Sequence, residues 1–159
     1  MERDTFMRRA IALAEQNVAS SGGGPFGAAI VHDGRIIGEG TNQVTGTHDP
    51  TAHAEILAIG QAAEAMGDWR LEGCTLSCTL EPCPMCAGAI LQARIERVVF
   101  GAADSRWGAV ETKLRVLEPG LFNHDVSYVG GVLSQESADL LRSFFRECRQ
   151  AADSDEDES

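Results

Sequence analysis

The chain has 159 residues, of which 43% are hydrophobic and 23% are charged, and its formal net charge at pH 7 is −11. This composition is typical of one globular domain, and its acidic balance argues against nucleic-acid binding by bulk positive charge. The five cysteines are an odd number that favours reduced thiols in the cytoplasm, and no apolar run predicts a membrane segment or a signal peptide.

Hydrophobic periodicity and turn residues predict an alternation of helices and strands along the chain. Asp33-Gly34, between two apolar runs, is a strong hairpin signal. Asp49 and Pro50 have the character of an N-cap and a first helical residue, and Pro82 marks the start of a later helix. The predicted elements are a helix at 4–20, strands at 27–31 and 35–40, a helix at 50–66, a strand at 75–79, a helix at 83–93, strands at 97–101 and 127–129, and a helix at 134–150.

This order of elements predicts a single α/β domain. Because helices and strands alternate after the first hairpin, we expect one mixed sheet with helices on both faces, a three-layer α/β/α sandwich. The domain is expected to span residues 1–150. Residues 151–159 carry five acidic side chains and no basic one, and we expect them to form a disordered acidic tail.

Two short motifs hold the residue types of a hydrolytic zinc site: HAE at residues 53–55 and PCPMC at residues 82–86. One histidine and two cysteines can bind zinc and leave its fourth position open to water. Two thiolates balance the charge of the ion, and a nearby carboxylate can move protons. The predicted ligands of one zinc ion per subunit are His53, Cys83 and Cys86, and the predicted catalytic residue is Glu55.

The alternative is a structural zinc site, which has four protein ligands. Cys74 and Cys78 could supply the fourth in principle, but both lie in an apolar stretch that predicts a strand. We therefore favour the hydrolytic site. Together with Cys148, these two cysteines are expected to be reduced thiols in or near the core.

Both motifs are expected at the N-terminal ends of helices. The helix dipole and the first N–H groups there favour the thiolate form that metal binding requires. His53 and Glu55 differ by about 200° around a helix axis and cannot share a helix face. A joint site should therefore lie off the end of the helix, with two helix N-termini directed at one ion.

The pattern H-x-E…P-C-x-x-C is the known signature of zinc nucleobase deaminases. Up to about residue 150 the chain resembles the cytidine-deaminase-like superfamily. Its later segments resemble the bacterial tRNA adenosine deaminases, which convert the wobble adenosine of an anticodon to inosine. The resembling residues and segments are Asn42, 48–55, 79–83, 85–89, 94–95, 97–102, 123–124, 140–141 and 144–146.

The resemblance implies a five-stranded sheet, a homodimer, zinc ligation by the three predicted ligands, and proton transfer by Glu55. It also implies that Asn42 hydrogen-bonds the substrate base or its sugar; the alternative is an ordinary turn residue. Phe26 would stack on a base, and the alternative is a core aromatic residue. Ala54 and Pro82, inside the two motifs, are further expected substrate contacts.

Several positions depart from the tRNA branch. The segment Gly23-Gly24-Pro25-Phe26-Gly27-Ala28 is more similar to guanine deaminases of the same superfamily. Trp107 stands where the branch has a smaller residue, and Glu111-Thr112 replaces an expected Gly-Ser pair. Because of these departures, guanine remains an alternative substrate.

Three arginines favour RNA instead. Arg142, Arg146 and Arg149 are spaced four and three residues apart and would line one face of the last helix. The tRNA branch holds the anticodon stem-loop with that helix. The alternative is a solvated face whose arginines pair with Glu136 and Asp139.

Three functions follow in order of preference. The first is zinc-dependent hydrolytic deamination of wobble adenosine in a tRNA anticodon stem-loop, with the base flipped out of the loop. The second keeps the chemistry but uses a free purine or nucleoside, guanine first. The third is a zinc-containing partner subunit without catalysis, against which Glu55 argues.

Overall fold

The structure is a computed structural model that describes residues 2–21 and 23–157. It contains five helices and five strands among those residues. The helices are α1 (Glu2–Ser21), α2 (Val44–Thr47), α3 (Ala54–Met66), α4 (Pro84–Gln92) and α5 (Ser134–Asp157), and the strands are β1 (Gly27–His32), β2 (Arg35–Thr41), β3 (Thr75–Leu80), β4 (Arg97–Ala102) and β5 (Ser127–Val129).

The strands form one mixed sheet in the order β2-β1-β3-β4-β5. β1 pairs antiparallel with β2 and with β3, whereas β3, β4 and β5 run parallel. Asp33 and Gly34, at the hairpin between β1 and β2, both have positive φ, 50° and 76°. That is the backbone of a tight hairpin turn, and it confirms the hairpin prediction.

Helices cover both faces of the sheet, which confirms the three-layer α/β/α sandwich. On one face, α3 and α4 pack on alternate residues of β1, β3 and β4, such as Ile30, Leu76 and Phe100. On the other face, α1 packs through Met7 and its neighbours against Val99. The central strands are buried on both sides, as expected for strands between two helical layers.

Glycines let two helices approach the sheet closely. A Cβ atom built on Gly40 of β2 would lie 2.1 Å from the carbonyl oxygen of Ala54 in α3. One built on Gly27 of β1 would lie 2.1 Å from the carbonyl oxygen of Ala10 in α1. Only glycine fits at such distances, and the first contact fixes the end of α3 that carries the HAE motif.

The start of α3 was predicted wrongly. The helix begins at Ala54 rather than Pro50, and its N-cap is His53. The carboxylate of Asp49 does not cap α3, because it accepts hydrogen bonds from the backbone N–H (2.9 Å) and the hydroxyl (2.7 Å) of Thr51. Asp49 thus closes a local turn, which competes with helix capping for the same side-chain oxygen.

Other helix boundaries also differ from the prediction. α4 has Cys83 as its N-cap and Pro84 as its first residue, so the proline that starts it is Pro84 rather than Pro82. α1 begins at Glu2, before the predicted cap at Asp4. α2 lies between the predicted strand at 35–40 and the predicted helix at 50–66, where no element was predicted.

The last helix is longer than predicted. α5 continues to Asp157 instead of ending near residue 150. No glycine or proline interrupts residues 134–157, and Ala151 and Ala152 are strong helix formers. Residues 158 and 159 of the predicted tail lie outside the described residues, and the division of the chain at residue 150 stays a prediction. Among the described residues, no helix has the length and apolar character needed to cross a membrane.

Candidate active site

The structure brings the three predicted zinc ligands together. The Nδ1 atom of His53 lies 3.6 Å from the Sγ atom of Cys83 and 3.6 Å from the Sγ atom of Cys86. The three donor atoms all lie within 4.8 Å of one another. One ion can therefore contact all three donors, since Zn–S and Zn–N distances are about 2.3 and 2.0 Å.

Two helix N-termini converge on these donors. His53 is the N-cap of α3 and Cys83 is the N-cap of α4, and both have extended backbones with ψ of 153° and 173°. Because His53 precedes the helix, the 200° separation from Glu55 around a helix axis does not apply. His53 and Glu55 line the same cavity, at the end of α3 as predicted.

The donor set fits a catalytic zinc ion better than a structural one. Among residues 2–21 and 23–157, no other group of three or more histidine, cysteine or acidic side chains is arranged to hold a metal. The group itself contains no fourth protein ligand. Three N/S donors beside a cavity match a zinc site with an open position, whereas structural sites are closed by four ligands.

The local electrostatics favour thiolate at Cys83. The pKa of Cys83 is lowered to about 5, first because the Cys86 thiol donates a hydrogen bond to it and then because the N–H groups of Cys86 and Met85 point at it. The pKa of Cys86 is raised by its donation to Cys83 and by burial. A thiolate at Cys83 is also what a helix N-terminus favours.

Glu55 lies in the first turn of α3 and is almost fully buried, with 9% of its surface exposed. Burial raises the pKa of its carboxyl group, and hydrogen bonds from its own backbone N–H and from the Cys86 thiol oppose that effect. A carboxyl with a raised pKa beside a metal site suits transfer of a proton at neutral pH.

A cavity of about 610 Å³, here called the site cavity, opens beside the donors. The predicted contacts Phe26, Asn42 and Ala54 line it, whereas Pro82 does not. Pro82 is buried, and its carbonyl accepts a hydrogen bond from the N–H of Ala109. Further lining residues, none of which was predicted as a substrate contact, include Pro50, Leu80, Glu81, Pro84, Met85 and Asp104.

Asn42 is held by a buried polar network that sequence reasoning missed. The side-chain oxygen of Asn42 accepts a hydrogen bond from the N–H of Val44 at 3.2 Å. Its backbone carbonyl accepts one from the side-chain amide of Asn17 at 3.1 Å, and Asn17 is only 5% exposed. The network fixes Asn42 at the cavity wall, with its amide NH₂ without a protein partner among the described residues.

Phe26 lies where the core meets the site cavity. It is half-buried, packs against the main core and also lines the site cavity. Its ring would clash with any Cβ at Gly24, at 2.8 Å. Because Gly24 has no side chain, the ring of Phe26 can occupy this position at the cavity wall.

Glu81 organises the cavity rim, a role that the sequence did not reveal. Its carboxylate accepts hydrogen bonds from the N–H groups of Asp104 (3.2 Å), Val110 (3.1 Å), Glu111 (2.9 Å) and Thr112 (3.0 Å), and from the hydroxyl of Thr112. Burial alone raises the pKa of Glu81, but these hydrogen bonds outweigh it and hold the pKa below its ordinary value. The sequence feature that could have indicated this role is a single acidic residue between an apolar strand and a proline.

A second depression of about 660 Å³, here called the arginine groove, adjoins the site cavity. The two share Phe26, Leu80, Asp104 and Trp107. The arginines that line the groove are Arg106, Arg142, Arg146 and Arg149.

The three arginines along one face of α5, Arg142, Arg146 and Arg149, here called the arginine stripe, are only partly paired with acidic side chains. Arg142 forms an ion pair with Asp139, one turn earlier in α5. Arg146 and Arg149 are exposed and have no acidic partner among the side chains that the structure describes. The alternative of a self-paired, solvated face therefore accounts for Arg142 but not for the other two.

The remaining histidines and cysteines stay outside the site. His124 hydrogen-bonds through Nε2 to the carbonyl of Ile95 at 2.8 Å, and His48 is exposed. Cys74 and Cys78 are buried free thiols, as predicted. Cys148 is exposed on α5, so its predicted place in or near the core was wrong.

Comparisons with known proteins agree with this site. The family model of the cytidine and deoxycytidylate deaminase zinc-binding region matches residues 1–102, which contain both motifs. The tRNA-specific adenosine deaminase of Bacillus subtilis (strain 168) is 44% identical over 147 residues, which cover 92% of this chain and 91% of that protein.

Two further similarities bear on the substrate. A solved structure from a study of A-to-I editing by tRNA:A34 deaminases at the wobble position matches with a TM-score of 0.81 and 42% identity, covering 86% of this chain and 99% of that one. Guanine deaminase of Bacillus subtilis (strain 168) is 51% identical over 102 residues, which cover 64% of this chain and 65% of that protein.

Proposed function

This chain belongs to the cytidine and deoxycytidylate deaminase zinc-binding family, and on that premise we propose that it converts the wobble adenosine of a tRNA to inosine. It is a zinc-dependent hydrolytic deaminase, like its relatives. Its substrate would be an anticodon stem-loop, whose target base leaves the stack and enters the site cavity.

The continuity of the arginine groove with the site cavity supports RNA as the substrate. Four arginines and a single acid, Asp104, line the groove, although the chain as a whole is strongly acidic. A free purine fits within the site cavity and needs no such groove. A nucleotide chain that enters the cavity has phosphates on both sides of the target, and arginines bind phosphates well.

His53, Cys83 and Cys86 would hold the zinc ion. When bound with three protein ligands, zinc lowers the pKa of water toward neutrality and so supplies a hydrolytic nucleophile. The buried carboxylate of Glu55 would take one proton from the attacking water and pass it to a ring nitrogen of the base. It would then carry the second proton, from the new hydroxyl group on the base, to the departing amine. The products are inosine and ammonia, so one water molecule accounts for the exchange of NH₂ for oxygen.

Two residues would position the base. The amide NH₂ of Asn42 donates a hydrogen bond to an acceptor of the base or its ribose, since its oxygen is already engaged by Val44. The half-buried ring of Phe26 provides an aromatic wall of the cavity on which a base can stack.

Guanine is the second candidate substrate. The 51% identity to guanine deaminase over 102 residues favours it, as does the segment Gly23-Gly24-Pro25-Phe26-Gly27-Ala28, whose Phe26 lines the cavity. That similarity covers 64% of this chain, whereas the similarity to the tRNA-specific adenosine deaminase covers 92% of it, and together with the arginine groove this is why RNA is preferred.

We also propose that the protein is a cytoplasmic homodimer. Leu114, Leu121 and Phe122 are 51%, 53% and 56% exposed. Large apolar side chains exposed close together in sequence favour a covered surface. Sedimentation of the zinc-loaded protein gives the oligomeric state, and a monomer at micromolar concentration contradicts the dimer.

The deciding experiment is ammonia release by the zinc-loaded protein. The substrates are an anticodon stem-loop with adenosine at the wobble position, the same loop with guanosine there, and free guanine, guanosine, adenosine and cytosine. Release from the adenosine stem-loop alone, with kcat/KM that falls steeply as salt rises, is expected. Release from guanine and not from RNA would instead establish the second candidate.

A further inference from the structure

Trp107 occupies the ridge between the site cavity and the arginine groove. It lines both depressions, and its side chain is 65% exposed, the highest exposure among the large hydrophobic residues of the described chain. An indole ring held in water at the mouth of a cavity contributes little to the core. Its exposure at the mouth of the cavity therefore favours a role in contact with a ligand.

The backbone under Trp107 is fixed before any ligand arrives. The side chain of Asp104 accepts hydrogen bonds from the N–H groups of Arg106 (2.9 Å) and Trp107 (3.2 Å). The N–H of Gly108 donates to the carbonyl of Asp104 at 3.0 Å. Glu81 then anchors the segment from both sides, at Asp104 and at residues 110–112.

Gly108 shows how closely this loop is packed. A Cβ atom at Gly108 would lie 2.5 Å from the carbonyl oxygen of Asp104 and 2.5 Å from a carboxylate oxygen of Glu81. The loop therefore lies directly on the buried carboxylate. A rigidly mounted ring loses little conformational freedom when it binds a planar partner.

The surroundings of Trp107 select a nucleotide as that partner. Arg106 precedes it in the loop, and Arg146 and Arg149 line the groove beside it. Phe145, 48% exposed, lines the same groove. Aromatic rings interleaved with arginines bind single-stranded nucleic acid, because bases stack on the rings while phosphates pair with the guanidinium groups.

We propose that the indole of Trp107 is the stacking platform for the unpaired base next to the target nucleotide, on the side where the strand passes into the arginine groove. This inference rests on the proposed RNA substrate and adds a specificity residue to it. Stacking would hold the neighbouring base outside the site cavity while the target enters, and would favour unpaired loops over duplexes.

The test is a double-mutant cycle between protein and RNA. The variants are Trp107→Ala and Trp107→Phe, and the RNAs are the stem-loop and two copies with an abasic site immediately 5′ or 3′ of the target. Trp69→Ala is the matched control, because Trp69 is 55% exposed but lines neither depression and packs against Arg70. Zinc content and thermal unfolding establish that each variant is folded.

Trp107→Ala is expected to lower kcat/KM on the intact stem-loop by about 5- to 150-fold, the range measured for loss of one stacked base, mainly through KM. Trp107→Phe recovers most of this loss. One abasic site lowers wild-type kcat/KM similarly but has little further effect on Trp107→Ala. Full additivity of the two losses, or a Trp107→Ala variant as active as wild type, overturns the proposal.

A fluorescence measurement provides a second readout. The chain has two tryptophans, so Trp69→Phe leaves Trp107 as the sole reporter. Binding of the intact stem-loop should quench its emission, whereas the sensitive abasic RNA should not. RNA turnover by wild type without any effect at Trp107 rejects only the stack. No turnover or binding of RNA by wild type rejects the proposed substrate, and the stack with it.

Discussion

The carboxylate of Glu81 accepts hydrogen bonds from both the backbone N–H and the hydroxyl of Thr112. Together with three other backbone donors, these bonds fasten the 104–112 segment to the end of β3. Glu81 is 2% exposed, so the negative charge is compensated by N–H and O–H dipoles rather than by a cation. Neutralising or removing the carboxylate leaves buried donors without an acceptor.

Glu81→Gln is therefore expected to lower the free energy of unfolding by about 2–4 kcal/mol, because an amide offers one acceptor oxygen and directs an NH₂ group at donors. Thr112→Val, which removes a single hydroxyl, should cost about 1 kcal/mol. Urea unfolding of the zinc-loaded variants measures both. Glu118→Gln is the control at an exposed acid, and an equal effect there would refute a specific role for Glu81.

The zinc donors could be predicted from the sequence because the chemistry itself restricts residue types and spacing. His53, Cys83 and Cys86 need no knowledge of the fold beyond the expectation that both motifs begin helices. The sheet followed from the alternation of elements and the Asp33-Gly34 turn. In each of these cases the signal lies within a few neighbouring residues.

Features that depend on contacts between distant segments could not be read from the sequence. Asp49 and Pro50 are good helix-starting residues, yet α3 starts at Ala54, where the close contact with Gly40 places it. The arginine groove exists only because α5 packs beside the loop that carries Trp107. The spacing of the arginines on α5 predicted that they share a helix face, but it could not predict that the loop with Trp107 lies beside them.

Glu55→Gln should lower kcat by about 10²- to 10⁴-fold or more, the range attributed to a positioned general acid–base group. The zinc content should remain at one per chain, since Glu55 is not a predicted ligand. Glu64→Gln, at an exposed acid of the same helix, is the matched control for α3. A Glu55→Gln variant that behaves like wild type would contradict the catalytic role of Glu55 and would favour the hypothesis of a non-catalytic partner subunit.

Cys86→Ser should abolish stoichiometric zinc binding, because a serine hydroxyl does not replace a thiolate as a zinc ligand. The variant should also lose the metal-dependent stability, about 4 kcal/mol when free zinc is a thousand times its Kd. Metal analysis and thermal unfolding with and without a chelator measure the two effects. Cys148→Ser, at an exposed thiol on α5, should bind and unfold like wild type.

Arg146→Glu and Arg149→Glu should each weaken stem-loop binding at low salt. Each should reduce the slope of log K against log salt by about 0.7–0.9, the contribution of one phosphate contact. Deamination of any accepted free base should not change. Arg8→Glu makes the same charge change on α1, outside the groove. If Arg8→Glu reduces binding as much, overall charge rather than the arginine groove explains the effect.

Gly40→Ala tests whether the approach of β2 to α3 positions the site. The new Cβ would lie 2.1 Å from the carbonyl of Ala54, so α3 must move away from the sheet, at a cost of about 3 kcal/mol. Because α3 carries His53 at its N-cap and Glu55 in its first turn, zinc affinity and kcat should fall as well.

Gly60→Ala is the control for this helix, since a Cβ there meets no atom within 4 Å. It should stabilise α3 by about 0.5–1 kcal/mol through helix propensity and leave activity unchanged. Urea unfolding, zinc titration and ammonia release distinguish the two variants. Equal stability and equal zinc affinity in Gly40→Ala and wild type would mean that the sheet does not set the position of α3.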